Sequence, residues 1–143
     1  MYIYKHKVKY YETDKMGVTH HSNYIRFMEE ARVEWMENMG WSYKKCEDVG
    51  MVSPTLAVNC IYKKNTTFDD IISIKVRLKK YNGLRLTVEY EMSKDGEIVA
   101  LGETEHCFVN DNFLPLRIKK DYPEFDEILN NELKKEIEES SKK

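Results

Sequence analysis

The chain has 143 residues, 41% of them hydrophobic and 34% charged, with a formal net charge of −2. One domain with a real apolar core is expected, and a disordered chain is not. The near-balanced charge offers no basic field for nucleic acid, so an anionic ligand has to be held by a local cluster of cations.

Cys46, Cys60 and Cys107 stand far apart with no CxxC spacing. That argues against a disulfide framework and a zinc knuckle, and for reduced thiols in a cytoplasmic protein. The N-terminus has no apolar h-region of a signal peptide, and no apolar run approaches the ~20 residues of a membrane span.

Residues 2–11 alternate, with Tyr4, His6, Val8 and Tyr10 on one face and Lys5, Lys7 and Lys9 on the other, which predicts a strand. A turn-rich segment from Glu12 to Gly17 follows. Ser22 or Asn23 can then cap a helix in which Tyr24, Phe27, Met28, Ala31, Trp35, Met36 and Met39 form one wide apolar stripe. Arg26, Glu30, Glu34 and Glu37 read as its solvated face, and Gly40 as its end. Ser42 to Val49 predicts a short second helix closed by Gly50.

From there the period is two, with strands expected over 52–63, 71–80, 84–93 and 98–109. Asp95-Gly96 is the strongest hairpin signal. Ala100, Gly102 and Thr104 make a face of small residues, suited to a helix pressed close to the sheet. A last helix is expected from Asp121-Tyr122-Pro123-Glu124, with Asp121 as N-cap and Phe125, Ile128, Leu129 and Leu133 as its apolar stripe. The whole reads as α+β: one long helix covering one face of an antiparallel sheet. The expected division is a domain over 1–125 and a charged helical tail over 126–143.

The segment richest in chemistry runs from Asp14 through Gly17, His20 and His21 to Tyr24, just before a helix N-terminus. Such a terminus presents unpaired N–H groups and a positive dipole end, which can stabilise an oxyanion forming on a carbonyl. A carboxylate beside it can attack that carbonyl or activate water. The plainer reading of Asp14 is a turn carboxylate. Neighbouring histidines such as His20 and His21 rarely chelate one metal, since extended-chain side chains diverge, and no metal is expected. Glu29 or Glu30 is an alternative base if either faces inward, although both suit a solvated helix face. Lys79, Lys80 and Arg85 cluster about a turn at Tyr81-Asn82-Gly83 and can meet phosphates, or merely keep a hairpin end soluble. No GxSxG elbow, Walker loop or GxGxxG is present.

The stretch from Val8 to Tyr24, with its D-x-x-G-x-x-x-H-x-x-Y spacing, followed by Phe27 and by Glu30-Ala31-Arg32, resembles the signature of the 4-hydroxybenzoyl-CoA thioesterase family. Within it the likeness is to the bacterial acyl-CoA thioesterase branch associated with the Tol–Pal system, over roughly residues 3–120. The resemblance implies a hotdog fold, a long helix wrapped by a five-stranded antiparallel sheet, assembled as a homodimer or homotetramer with acyl-CoA in the dimer interface. It implies Asp14 as the catalytic carboxylate and His21 as the position whose N–H faces the thioester oxygen. Gly17 and Tyr24 match the motif, and Lys79, Lys80 and Arg85 fall where contacts to the nucleotide phosphates are expected. No cofactor is implied.

The implied activity is hydrolysis of a small or medium acyl-CoA to free acid and CoA. Three other functions compete with it. One is a non-catalytic hotdog module binding acyl-CoA or acyl-carrier protein, against which Asp14 counts. Another is a hotdog dehydratase, which needs a histidine and acid in a different helix context. The third is a metal hydrolase using Asp14, His20 and His21.

Overall fold

The computed structural model describes residues 1–141; the last two residues of the expected tail lie outside the described residues. In chain order come β1 (Tyr2–Lys7), α1 (Asn23–Met39), α2 (Tyr43–Asp48), β2 (Thr55–Tyr62), β3 (Ile71–Tyr81), β4 (Arg85–Lys94), β5 (Glu97–Cys107), α3 (Ile118–Asp121) and α4 (Pro123–Ser141). The strands form one sheet in the order β1-β3-β4-β5-β2, and every pairing is antiparallel. This is the expected α+β hotdog arrangement, a five-stranded antiparallel sheet about a long helix. The β4–β5 hairpin turns at Asp95 (φ 50°) and Gly96 (φ 79°), both left-handed, as a two-residue primed turn requires.

Alternation along the strands makes one sheet face apolar. Ile72, Ile74, Val76 and Leu78 of β3 and Leu86, Val88, Tyr90 and Met92 of β4 are buried on it. The α1 stripe lies against that face, with Tyr24, Phe27, Met28, Ala31, Trp35 and Met36 buried. Gly102 sets how close the helix sits. A Cβ built there would lie 2.3 Å from Met28 Sδ, so any larger residue would force the buried Met28 side chain to shift. Gly40 closes α1 in the left-handed conformation (φ 95°), as its position in the sequence predicts. Ser42 caps α2 by accepting from the Lys45 N–H at 3.1 Å.

Four local expectations need correction. The first strand ends at Lys7, because Glu12 is drawn inward and winds a 3-10 turn over Tyr10–Glu12. Its Oε1 accepts from the Lys9 N–H at 2.6 Å and meets His6 Nε2 at 2.8 Å. Tyr10 leaves the face assigned to it and stands 76% exposed.

The strand expected over 52–63 begins only at Thr55, since Val52 forms an isolated bridge to Val109. Ser22 occupies the N-cap position of α1 but makes no side-chain cap; its Oγ bonds His20 Nδ1 at 2.8 Å. Asp121 does not cap α4. Its carboxylate accepts from the Arg117 N–H at 2.9 Å, closing the separate α3 turn.

Phe125 and Leu129 of α4 are fully buried, and Phe125 stacks on Trp41 with centroids 4.9 Å apart. The helix then follows β3 beyond the start of β1, where Tyr81 bonds Asp126 and Arg77 lies 3.8 Å from Glu136. Beyond β1, the edge strand on this side, the free length of β3 is thus flanked by α4. The other edge, β2, stays open, with Leu56, Val58, Ile61 and Tyr62 each more than 40% exposed.

Candidate active site

Asp14 sits in a small loop closed by an antiparallel bridge between Thr13 and Thr19. Its N–H donates to Val18 O at 2.9 Å, and its own carbonyl accepts from the Gly17 N–H at 3.0 Å. Gly17 supplies the left-handed residue this turn needs, at φ 78°. The side chain is tethered by one oxygen, Oδ1, which accepts from the Met16 N–H at 2.8 Å. Among the described residues Oδ2 has no partner.

The loop is buckled to the sheet by Thr66 and Thr67, which precede β3. Thr66 is buried, bonds Thr19 through both hydroxyls at 2.7 Å, and takes the Tyr24 hydroxyl at 2.8 Å. Thr67 donates through its hydroxyl to Gly17 O at 2.7 Å. Tyr24 is itself buried, so it anchors the helix start to the loop.

His21 is exposed at the start of α1. Its carbonyl accepts from the Tyr62 hydroxyl at 3.0 Å, and among the described residues nothing accepts its N–H. Tyr62 packs edge-on against Tyr24, with centroids 5.2 Å apart. Burial, and then Cys60, push the Tyr62 hydroxyl up to about 12, so it remains a donor throughout the neutral range. The N–H groups of Ser22, Asn23 and Tyr24 are taken by His20 Nδ1, His20 O and His21 O, so the donor left at the helix start is the His21 N–H, held beside the end of the open strand β2 by Tyr62.

The rings of His20 and His21 stack, with centroids 4.3 Å apart, instead of diverging, because the chain there is turned and not extended. Among the described residues no group of three or more His, Cys, Asp or Glu side chains is placed to hold a metal. Glu29 and Glu30 are exposed on α1. Glu30 accepts from Tyr4 at 2.9 Å and lies 3.2 Å from His6 Nδ1, toward β1.

Asp14, Gly17, His21 and Tyr24 are thus brought together. Lys79, Lys80 and Arg85 are not among them, since β3 carries Lys79 eight residues, about 26 Å, from its Asp14 end. Lys79 pairs with Glu103 at 2.9 Å, whereas Lys80 and Arg85 are exposed and make no ion pair among the described residues.

Sequence reasoning missed Tyr62, Thr66 and Thr67, which act only through tertiary contact and carry no local signal. It quoted Arg32 in the motif but gave it no role. That residue falls on the apolar stripe of α1, between Met28 and Trp35, and this position was the available signal. Arg32 is buried and feeds a polar network through Tyr43, Tyr90, Thr104 and His106. Burial, and then the Arg32 charge, lower His106 to about 3.

The model of the thioesterase-like superfamily matches residues 8–128. The chain belongs to the thioesterase-like superfamily. This thioesterase-like chain is 38% identical over 108 residues to a candidate esterase of Aquifex aeolicus (strain VF5), covering 76% of this chain and 84% of that protein. It is 29% identical over 121 residues to YneP of Bacillus subtilis (strain 168), named as a candidate acyl-CoA thioesterase, covering 83% and 88% of the two chains. The fold is similar to that of a DHNA-CoA thioesterase from Staphylococcus aureus, with a TM-score of 0.87 and 33% identity over 90% of this chain and 88% of that one. The expected class, a thioester hydrolase, is met at the level of the superfamily. No helix among the described residues is long and apolar enough to cross a membrane.

Proposed function

We propose that this protein hydrolyses the thioester of a small or medium acyl-CoA, with Asp14 acting on the thioester carbonyl at the start of α1. The observation that carries this reading is the Asp14 carboxylate, tethered through Oδ1 and free at Oδ2, in the loop that leads to the unpartnered His21 N–H at the start of α1. The His21 N–H and the helix dipole stabilise the developing oxyanion. Asp14 either attacks the carbonyl carbon, so that the C–S bond breaks, CoA leaves as thiolate and water then cleaves the mixed anhydride, or it takes a proton from an attacking water. Tyr62, by bonding the His21 carbonyl, positions the helix start.

The active assembly is a homodimer or homotetramer in which β2 pairs antiparallel with β2 of a second copy, since an open apolar edge invites such pairing. That two-fold brings Lys80 and Arg85 of one copy, with Lys79, to the end of the sheet facing the partner's Asp14, where they meet the phosphates of CoA. Within the superfamily we place the chain in the 4-hydroxybenzoyl-CoA thioesterase family, in the Tol–Pal-associated branch, on its Asp14-to-Tyr24 motif. Its three cysteines are free, in keeping with a cytoplasmic setting.

Asp14→Asn keeps the shape and removes the charge. It should lower kcat at least about 100-fold while leaving the circular dichroism spectrum and solution mass unchanged. Near-wild-type kcat on the best of a panel of acyl-CoAs would sink the mechanism. Absence of turnover by the wild type on all of them would favour a binding module instead.

A further inference from the structure

Arg32 is buried, yet among the described residues no carboxylate pairs with it. Buried charges are normally paired, and leaving one unpaired is costly. Its donors go to neutral oxygens: Nε to Tyr43 at 2.8 Å and Nη1 to Tyr90 at 3.0 Å. The Tyr90 hydroxyl has an onward partner, Thr104 at 2.8 Å, which in turn meets His106 at 2.7 Å. The Tyr43 hydroxyl has none among the described residues. Its oxygen accepts from Arg32, so its proton is polarised by a guanidinium and left to donate.

Tyr43 lines a cavity of about 250 Å³ whose other walls include Met36, Cys46, Met51, Val52 and Phe108. An apolar cavity of about 150 Å³ holds a benzene molecule, so this one has room for a substituted ring or a short chain. Its walls come from the C-terminal end of α1, from α2, and from the segment leading into β2. Asp14 of the same chain lies at the other end of α1, a helix of 17 residues and hence about 25 Å long. Antiparallel pairing along β2 reverses this separation. It sets the Tyr62 end of one copy, with its His21 and Asp14, beside the Thr55 end of the other.

We propose that this cavity receives the acyl group of a thioester held at the partner's Asp14, and that Tyr43, backed by Arg32, donates to a neutral oxygen on the far part of that acyl group. The inference rests on the thioesterase reading and adds the substrate class: acyl-CoAs with a largely apolar acyl group bearing a distal hydroxyl or keto oxygen. Glu47, exposed where it borders the cavity, disfavours a carboxylate in that place. Tyr43 is thereby a specificity residue that touches the acyl group away from the reacting carbon.

Two matched substrate sets test this. One is hexanoyl-CoA, 6-hydroxyhexanoyl-CoA and the adipic acid monothioester of CoA. The other is phenylacetyl-CoA with its ring-hydroxylated and ring-carboxylated forms. The wild type should prefer the hydroxylated member of at least one set by about tenfold or more in kcat/KM. Tyr43→Phe should abolish that preference by raising KM for the hydroxylated member, leaving the plain member within about twofold. Preference for the plain or carboxylated member in both sets, or a preference that survives Tyr43→Phe, overturns the proposal.

Mixed dimers separate the two subunits. When an Asp14→Asn copy and a Tyr43→Phe copy carrying different tags are co-expressed and purified together, one site holds both lesions and the other holds neither. The active site that remains should show the wild-type KM for the hydroxylated substrate. The raised KM of the Tyr43→Phe homodimer would overturn the arrangement across subunits. An Asp14→Asn homodimer that stays active would instead sink the role given to Asp14, and a wild type that turns over neither substrate set would sink the thioesterase reading itself; both are different failures.

Discussion

His106→Gln tests the buried network through its pH dependence. His106 is 1% exposed, its Nε2 lies 2.7 Å from Thr104, and burial together with Arg32 holds it at about 3 against an ordinary 6.5. Between those two values the unfolded chain binds a proton that the folded chain refuses, so stability falls as pH drops through the window. pH 4 lies about 2.5 units below the unfolded histidine's ordinary 6.5, and at about 1.36 kcal/mol per unit the loss is about 3 kcal/mol. Near pH 7 it is close to zero. Glutamine can keep a hydrogen bond to Thr104 and does not titrate. Urea unfolding of wild type and His106→Gln at pH 7 and pH 4, at one fixed protein concentration, isolates the contribution. The stability of wild type relative to the variant should fall by about 3 kcal/mol between the two pH values. Parallel profiles would refute the reasoning and mean that His106 protonates freely in the folded state.

Gly102→Ala should destabilise by about 1–3 kcal/mol through overpacking against Met28, and a cycle with Met28→Ala should reveal coupling of about 1 kcal/mol; simple additivity would mean that α1 has room to move. Val58→Lys, a charge on the open edge of β2, should lower the mass measured by light scattering to that of one chain, and a mass equal to the wild-type oligomer would remove β2 as the interface. Lys80→Ala with Arg85→Ala should raise KM for acyl-CoA several-fold at low ionic strength with little change in kcat, since phosphate contacts persist from ground to transition state. That effect should shrink at high salt, and an unchanged KM at low salt would move the phosphate site elsewhere.

Periodicity in the sequence was enough to draw the α1 stripe from Tyr24 to Met39, the Asp95-Gly96 turn, and the small-residue face on which Gly102 meets Met28. Each of these depends on neighbours along one chain segment, where a period of 3.6 or 2 states which side chains share a face. The Asp14-to-Tyr24 segment was legible for the same reason, because the carboxylate, the left-handed glycine and the helix start lie within one loop and the first turn of α1.

What no local pattern could state is which elements meet. Glu12 turns inward to His6 and ends β1 early, since a buried carboxylate seeks its partner across the loop and not along the strand. Lys79, Lys80 and Arg85 are sorted from Asp14 by the length of β3. Tyr62 and Thr66 join the site only because β2 and the loop after it close over α1. Arg32 sits at a position the helical stripe marks as inward, yet its partners Tyr43 and Tyr90 come from α2 and β4. Local sequence therefore determined the faces and the motif, while tertiary closure decided the partners, because hydrogen bonds between distant segments exist only once the sheet and α1 are packed.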